Sequence, residues 1–204
     1  MARPDSQVAT ICGCCAQALP QLRALSQVLP LRRVHAFDVE PARARALARE
    51  VEAELGLVAV ATEDLGAATR ASDVCVTCTP ARRAYLGSGD VCAGAFVAAV
   101  GADSEDKQEI EPELLSKSTV VADILDQCAV IGDLHHAIAE GLMIKDDVYA
   151  ELGEVVAGLK SGRRSAEEVI VFDSTGTALQ DVAVAALAYE RAVASGTGRT
   201  IQFA

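Results

Sequence analysis

Apolar residues recur along the chain in two alternating patterns. Short runs rich in Val, Ala and Ile, such as residues 8–12 and 74–77, alternate with longer stretches in which Leu and Ala recur every three or four positions. The short runs predict buried strands, and the longer stretches predict helices with one apolar face. One predicted helix begins at Pro41 and is closed by Gly56, and both residues are favoured at those two places.

Predicted strands and helices follow one another in a regular order. The strands are residues 8–12, 34–37, 58–61, 74–77, 95–100, 120–123 and 169–172. The helices are residues 16–29, 41–55, 65–71, 112–117, 134–140, 149–160 and 178–194, and an extended tail follows at 200–203. Strands separated by helices predict an α/β fold, a doubly wound and mostly parallel sheet with helices on both faces. We expect one domain over residues 1–204, because no segment rich in Gly, Pro or Ser interrupts the pattern.

Composition and charge narrow the class of protein. Apolar residues make up 51% of the chain, charged residues 23% and aromatic residues 3%, so the core must consist of Ala, Val and Leu. No apolar run approaches the ~20 residues of a transmembrane helix, and the N-terminus has no apolar signal core. The net charge of −11 argues against nucleic-acid binding. We expect no membrane and no nucleic-acid partner.

Seven cysteines without a signal segment predict reduced thiols and a cytoplasmic location. Two C-x-x-C pairs, Cys12/Cys15 and Cys75/Cys78, raise a metal or redox alternative. The 59 residues between the pairs exceed the ~15–20 of a zinc ribbon, and Cys12 and Cys75 lie inside apolar runs. We therefore predict no metal site, and bound metal or oxidised thiols would favour the alternative.

The first strand leads through a glycine loop into a helix, as in a dinucleotide-binding fingerprint of the Rossmann type. Gly13 takes the place of the first glycine and Ala18 that of the last, but Cys15 stands where the second glycine is expected. Asp38 ends the next strand, 25 residues after Gly13, where an acid binds the adenosine ribose hydroxyls. A carboxylate there repels a 2′-phosphate, which favours NAD over NADP. Alternatively, Asp38 begins the turn before Pro41.

Four segments, taken in order, resemble motifs of the ornithine cyclodeaminase/mu-crystallin family. They are residues 13–18, 76–80, 100–109 and 172–181, and they extend over nearly the whole chain. The departure is Cys15, because the family loop has Gly there. The resemblance implies a longer protein with an N-terminal substrate and dimerisation domain, whereas only residues 1–7 precede the first strand here. We expect a dinucleotide-binding domain whose residues 178–204 would return to that domain.

The resemblance also assigns roles to single residues. It implies that Asp103 is the catalytic proton donor or acceptor at the reacting carbon and nitrogen, and a strand-end position suits such a group. The alternatives are loop capping by Asp103, a solvated Lys107, and hydroxyls that only satisfy their own backbone or cap a helix. The residues implied to bind the cofactor are Gly13, Cys15, Ala16, Gln17, Asp38, Thr77, Thr79, Val100, Gly101, Ala102, Lys107, Ser174 and Thr175.

By this resemblance, the expected function is an NAD-dependent, ornithine cyclodeaminase-like enzyme domain. It would act on the carbon–nitrogen bond of a small amino or imino acid, as an oxidoreductase or lyase. The alternative is a non-catalytic NAD(P)-binding protein similar to mu-crystallin. We expect no turnover by this chain alone. We expect homo-oligomers, because the last predicted helix is apolar around much of its circumference.

Overall fold

The computed structural model describes residues 1–201, which contain ten strands and eight α-helices. The strands are β1 (Val8–Cys12), β2 (Arg33–Phe37), β3 (Val58–Ala61), β4 (Val74–Thr77), β5 (Arg82–Leu86), β6 (Phe96–Ala99), β7 (Gln108–Ile110), β8 (Thr119–Ala122), β9 (Ala150–Glu151) and β10 (Ile170–Asp173). The helices are α1 (Ala18–Val28), α2 (Pro41–Leu55), α3 (Leu65–Arg70), α4 (Pro112–Ser116), α5 (Leu125–Ile131), α6 (Asp133–Ala139), α7 (Leu152–Val156) and α8 (Ala178–Ser195).

Eight of the strands form one parallel sheet in the order β3-β2-β1-β4-β6-β10-β8-β9, and β5 and β7 form a separate parallel pair. The chain winds outward from β1 in both directions, which makes the fold a doubly wound Rossmann-like one. The predicted α/β class is therefore confirmed. In such sheets, ligands bind beyond the carboxyl ends of the strands where the winding reverses. Here that place lies beyond β1 and β4.

Two apolar clusters lie on opposite faces of the sheet. Neighbouring residues of one strand alternate between them: Val74 and Val76 belong to one cluster, and Cys75 belongs to the other. Helices α1 and α2 pack into the first cluster, and helices α4, α5 and α6 pack into the second. The sheet is thus covered on both faces, as the alternating pattern predicts.

The structure corrects the predicted elements in three main places. Helix α1 begins at Ala18 rather than residue 16, because residues 14–17 form a turn after Gly13. The predicted helix 149–160 is wrong: strand β9 pairs with β8 there, and only the five-residue α7 follows. Strands β5 and β7 and helix α5 are absent from the predicted set. The predicted tail at 200–203 is described only as far as residue 201, and Phe203 lies outside the described residues.

Helix α8 stands apart from both clusters, since none of its 18 residues is buried. Its apolar side chains are exposed, and they include Leu179, Val182, Tyr189 and Val193. Within residues 1–201, no helix is both long and apolar enough to cross a bilayer.

Candidate functional site

Gly13 joins β1 to the turn before α1, and only glycine fits there. Its φ of 92° lies in the left-handed region, and its N–H donates to the Phe37 carbonyl at 2.9 Å. A Cβ on Gly13 would lie 2.7 Å from Cγ2 of Thr79 and 2.8 Å from the carbonyl oxygen of Cys78. The loop therefore packs closely against the segment that follows β4.

Asp38 ties the end of β2 to this loop. Its Oδ2 accepts a hydrogen bond from the N–H of Cys14 at 2.8 Å, and its Oδ1 accepts one from the N–H of Glu40 at 2.9 Å. Asp38 thus holds the loop through the Cys14 N–H and also stabilises the turn before α2 through the Glu40 N–H. A carboxylate offers about four acceptor positions, so the two backbone bonds leave capacity for hydroxyl groups of a ligand.

Two cavities open at this edge of the sheet. The first, which we call the loop cavity, has a volume of about 370 Å³. It is lined by Gly13, Cys15, Phe37, Asp38, Val39, Arg43, Leu65, Cys78, Thr79, Pro80, Ala81 and Tyr85. The second, the edge cavity, has about 280 Å³ and is lined by Cys15, Gln17, Cys78, Thr79, Pro80, Val100, Gly101, Asp103 and Lys107. Four residues belong to both cavities, so the two are adjoining parts of one crevice.

The edge cavity contains an ion pair between two predicted site residues. The Nζ of Lys107 lies 2.6 Å from Oδ1 of Asp103, and the Asp103 side chain is 57% exposed. The backbone carbonyl of Lys107 lies 2.8 Å from Nε2 of His136, so that imidazole contacts the loop rather than standing free on the surface. Lys107 therefore lies over the cavity with its charge already directed at Asp103.

Glu109 is a buried residue of the site to which the sequence patterns assign no role. It is 0% exposed, and its Oε1 accepts hydrogen bonds from the Thr79 N–H at 2.7 Å, the Thr79 hydroxyl at 2.6 Å and the Tyr85 hydroxyl at 2.9 Å. Its Oε2 accepts from the N–H of Gly101 at 3.0 Å. Glu109 is the last residue of the family-like segment at 100–109, but the resemblance gives it no role.

Ser174 and Thr175 are held in a different place from the crevice. Oδ2 of Asp123, at the end of β8, accepts hydrogen bonds from the Thr175 N–H at 2.8 Å, the Gly176 N–H at 2.9 Å and the Ser174 hydroxyl at 3.2 Å. Neither residue lines the loop cavity or the edge cavity. Their predicted contact with a cofactor stays a prediction.

Three further predicted binding residues also lie away from the two cavities. Thr77 is fully buried, and its hydroxyl has no hydrogen-bond partner within the described part of the chain. Ala102 is buried as well. Ala16 is exposed and lines a separate groove beside α1 and α2. Their predicted roles in binding also stay predictions.

The cysteines are seven free thiols, several of which surround the loop. The Cys15 thiol donates to the Cys78 carbonyl at 3.3 Å, and the Cys78 thiol donates to the Gly13 carbonyl at 3.1 Å. Burial, followed by the Asp38 charge, raises the pKa of Cys14 to about 12. In residues 1–201, no group of three or more His, Cys, Asp and Glu side chains is arranged to hold a metal ion.

Two more carboxylates lie buried beneath the site. Oδ1 of Asp133 accepts from the N–H groups of Glu109 and Ile110, and Asp173 accepts from the N–H groups of Asp133 and Leu134. Burial raises the pKa of Asp173 to about 7, and burial together with the Asp173 charge raises the pKa of Asp133.

The amino-acid sequence of this chain matches the profile of a known protein family. The profile of the ornithine cyclodeaminase/mu-crystallin family matches residues 1–196. The chain belongs to that family. The chain is similar to a putative dehydrogenase of Rhizobium meliloti, with 41% identity over 202 residues. It is also similar to an alanine dehydrogenase of Archaeoglobus fulgidus, with 40% identity over 203 residues. These matches cover 99% and 100% of this chain, but 61% and 62% of the relatives.

Solved structures agree with this membership of the ornithine cyclodeaminase/mu-crystallin family. An archaeal alanine dehydrogenase dimer with bound NAD superposes with a TM-score of 0.96 at 40% identity, covering 100% of this chain and 63% of that one. A Delta(1)-pyrroline-2-carboxylate reductase of Thermococcus litoralis, in complex with NADH and L-proline, superposes with a TM-score of 0.96 at 33% identity, covering 98% of this chain and 62% of that one. The chain therefore spans about three fifths of the length of the relatives that it matches.

Proposed function

We propose that this chain is the NAD-binding part of an enzyme that acts on the carbon–nitrogen bond of a small amino or imino acid. The observation that carries the proposal is the crevice beyond β1 and β4, which brings Gly13, Asp38 and Asp103 to one edge of the sheet. The relatives named as alanine dehydrogenase and Delta(1)-pyrroline-2-carboxylate reductase support this reaction class.

The two cavities suit the two halves of a dinucleotide. Asp38 would accept hydrogen bonds from the adenosine ribose in the loop cavity, and the backbone that follows Gly13 would approach the pyrophosphate. The nicotinamide would then occupy the edge cavity, between Gly101 and Thr79.

Charge in the loop cavity favours NAD over NADP. Arg43 lines this cavity and could in principle attract a 2′-phosphate, but its guanidinium lies 2.9 Å from the Glu40 carboxylate. The Asp38 carboxylate beside it repels such a phosphate. Because the Arg43 charge is already paired, the repulsion by Asp38 decides the preference.

The proton chemistry would fall to Asp103. Bound NAD would supply hydride exchange with the substrate carbon, as nicotinamide cofactors do. Asp103 lies at the mouth of the edge cavity, where its carboxyl can give a proton to, or take one from, a substrate nitrogen. The Lys107 ammonium, 2.6 Å away, holds the Asp103 carboxylate in place.

Residues 1–204 would form the dinucleotide-binding unit, and residues 178–204 would connect it to the rest of the enzyme. We further propose that the chain forms homo-oligomers and works in the cytoplasm. The exposed apolar side chains of α8 support association, as does the dimer of the archaeal alanine dehydrogenase. The seven free thiols support a reducing compartment.

Amide NMR spectra of the labelled protein test this placement. Adding NAD is expected to shift the amide signals of Gly13 and Gly101, which line the crevice, and of Cys14, whose N–H is bonded to Asp38. Adding AMP is expected to shift only Gly13 and Cys14, since AMP lacks the nicotinamide half. The signal of Gly196, at the far end of α8, serves as the control. Shifts confined to residues outside both cavities would contradict the proposal.

A further inference from the structure

Glu109 joins three separate segments beneath the edge cavity. Its four hydrogen bonds reach Thr79 after β4, Tyr85 in β5 and Gly101 after β6. Both Thr79 and Gly101 line the edge cavity, so one carboxylate fixes two of its walls. A Cβ on Gly101 would lie 2.4 Å from Oε2 of Glu109, which shows how closely the carboxylate fits.

The Glu109 carboxylate is a buried charge without a cation beside it. Two of its four donors are backbone N–H groups, which can only donate, and the other two are hydroxyls that can donate. Such a set of donors stabilises the charged form. No ion pair within residues 1–201 includes Glu109. Burial mainly raises the pKa values of Tyr85 and Asp133, and the Glu109 charge adds to both.

We propose that Glu109 is a positioning residue whose negative charge also favours the oxidised nicotinamide over the reduced one. This inference rests on the proposed binding of NAD in the crevice. The oxidised ring carries one positive charge and the reduced ring carries none, while the rest of the cofactor is the same in both. A buried anion separated from the cavity by one hydrogen-bonded residue is weakly screened by solvent. The nearer charges of Asp103 and Lys107 largely cancel each other.

Two substitutions of Glu109, by glutamine and by aspartate, distinguish the effect of its negative charge from the effect of its position. Glu109→Gln removes the charge at almost constant size, but its NH2 group can accept from neither the Thr79 N–H nor the Gly101 N–H, so one of these bonds is lost. Both affinities should therefore fall, and the affinity for NAD+ should fall about tenfold more than the affinity for NADH, a ratio equivalent to about 1.4 kcal/mol. Glu109→Asp keeps the charge but shortens the reach, so both affinities should fall while their ratio stays near that of the wild type. The affinity for ADP-ribose, which lacks the nicotinamide, should fall less than the affinity for NAD+ in both variants, because, of the residues held by Glu109, only Thr79 and Tyr85 line the loop cavity.

Calorimetric titration of the three ligands into the wild type and both variants measures these ratios. An NAD+/NADH ratio that Glu109→Gln leaves unchanged would refute the proposal and reduce Glu109 to a structural role. Failure of the wild type to bind NAD+ at all would overturn the proposed function together with this inference. If Glu109→Gln does not fold, the affinity of the wild type for NAD+ is compared with its affinity for benzamide adenine dinucleotide, an analogue whose ring is uncharged. The analogue should bind about tenfold more weakly, and equal affinity would contradict the role of the charge.

Discussion

Cys15 occupies the place where a second glycine would let the loop backbone approach a phosphate. No residue other than glycine has a positive φ within residues 1–201, so Cys15 causes no backbone strain. Its side chain instead takes up space in the crevice, because it lines both cavities and its thiol donates a hydrogen bond to the Cys78 carbonyl.

Cys15→Gly is therefore expected to tighten NAD binding severalfold, since the substitution opens the crevice without changing the loop path. Titration calorimetry of the variant against the wild type measures the change. Cys92→Ala, a substitution outside both cavities, is the control and should leave the affinity unchanged. Weaker binding by Cys15→Gly would mean that the cofactor follows another course past the loop.

Residues of the site differ in how far the sequence alone could reveal them. Gly13 and Asp38 were predicted because a local pattern, strand then glycine turn then helix, determines their place. Glu109 ends the family-like segment at 100–109, but that segment does not reveal its role, because its four hydrogen-bond donors come from segments 8 to 30 residues away. The two walls that it joins are brought together only by the order of strands in the sheet.

Among the elements, seven of the eight strands of the main sheet were predictable, whereas the two-residue β9 and the separate pair of β5 and β7 were not. Strands such as β4 and β6 are continuous apolar runs because they are buried on both faces. Strand β5 reads Arg-Arg-Ala-Tyr-Leu and is half-exposed, so it carries no such run. Strand β9 has two residues, and its pairing with β8 is decided by tertiary contact rather than by local preference.

Helix α8 is the element with the most exposed apolar surface. Leu179, Val182, Tyr189 and Val193 recur at helical spacing and are 63% to 78% exposed. Exposed apolar stripes of this kind commonly mark interfaces. We expect the chain to self-associate through this face.

The double substitution Val182→Glu and Tyr189→Glu should lower the mass measured by light scattering toward that of a monomer. It places two charges on the exposed apolar face. Gln27→Glu adds a charge at an exposed position of α1, outside α8, and should leave association unchanged. A wild type that is monomeric at high concentration would contradict this prediction.

At the scale of the whole molecule, buried carboxylates make stability depend on pH. The pKa of Asp173 is about 7 in the folded chain, against an ordinary value of 3.8. Between these values the folded state holds a proton that the unfolded state has released. The free energy of unfolding should therefore be highest below pH 4 with respect to this group, fall as the pH rises, and level off above about 7.

Asp173→Asn cannot titrate, so its free energy of unfolding should fall less steeply over the same pH range. Urea unfolding at a series of pH values measures the two slopes. Part of the slope should remain, because the pKa of Asp133 is also raised. Asp146→Asn, at an exposed position, is the control. An identical slope in Asp173→Asn and the wild type would show that Asp173 titrates normally.

Titration of NAD and NADP into the wild type and into Asp38→Asn tests the proposed cofactor most directly. The carbonyl oxygen of asparagine can still accept from the Cys14 N–H, so the loop should keep its course while the repelling charge is lost, and only the bond from the Glu40 N–H is given up. We predict that the wild type binds NAD at least about tenfold more tightly than NADP, and that Asp38→Asn loses most of this difference. Equal affinity of the wild type for both cofactors, or no binding of either, would contradict this prediction.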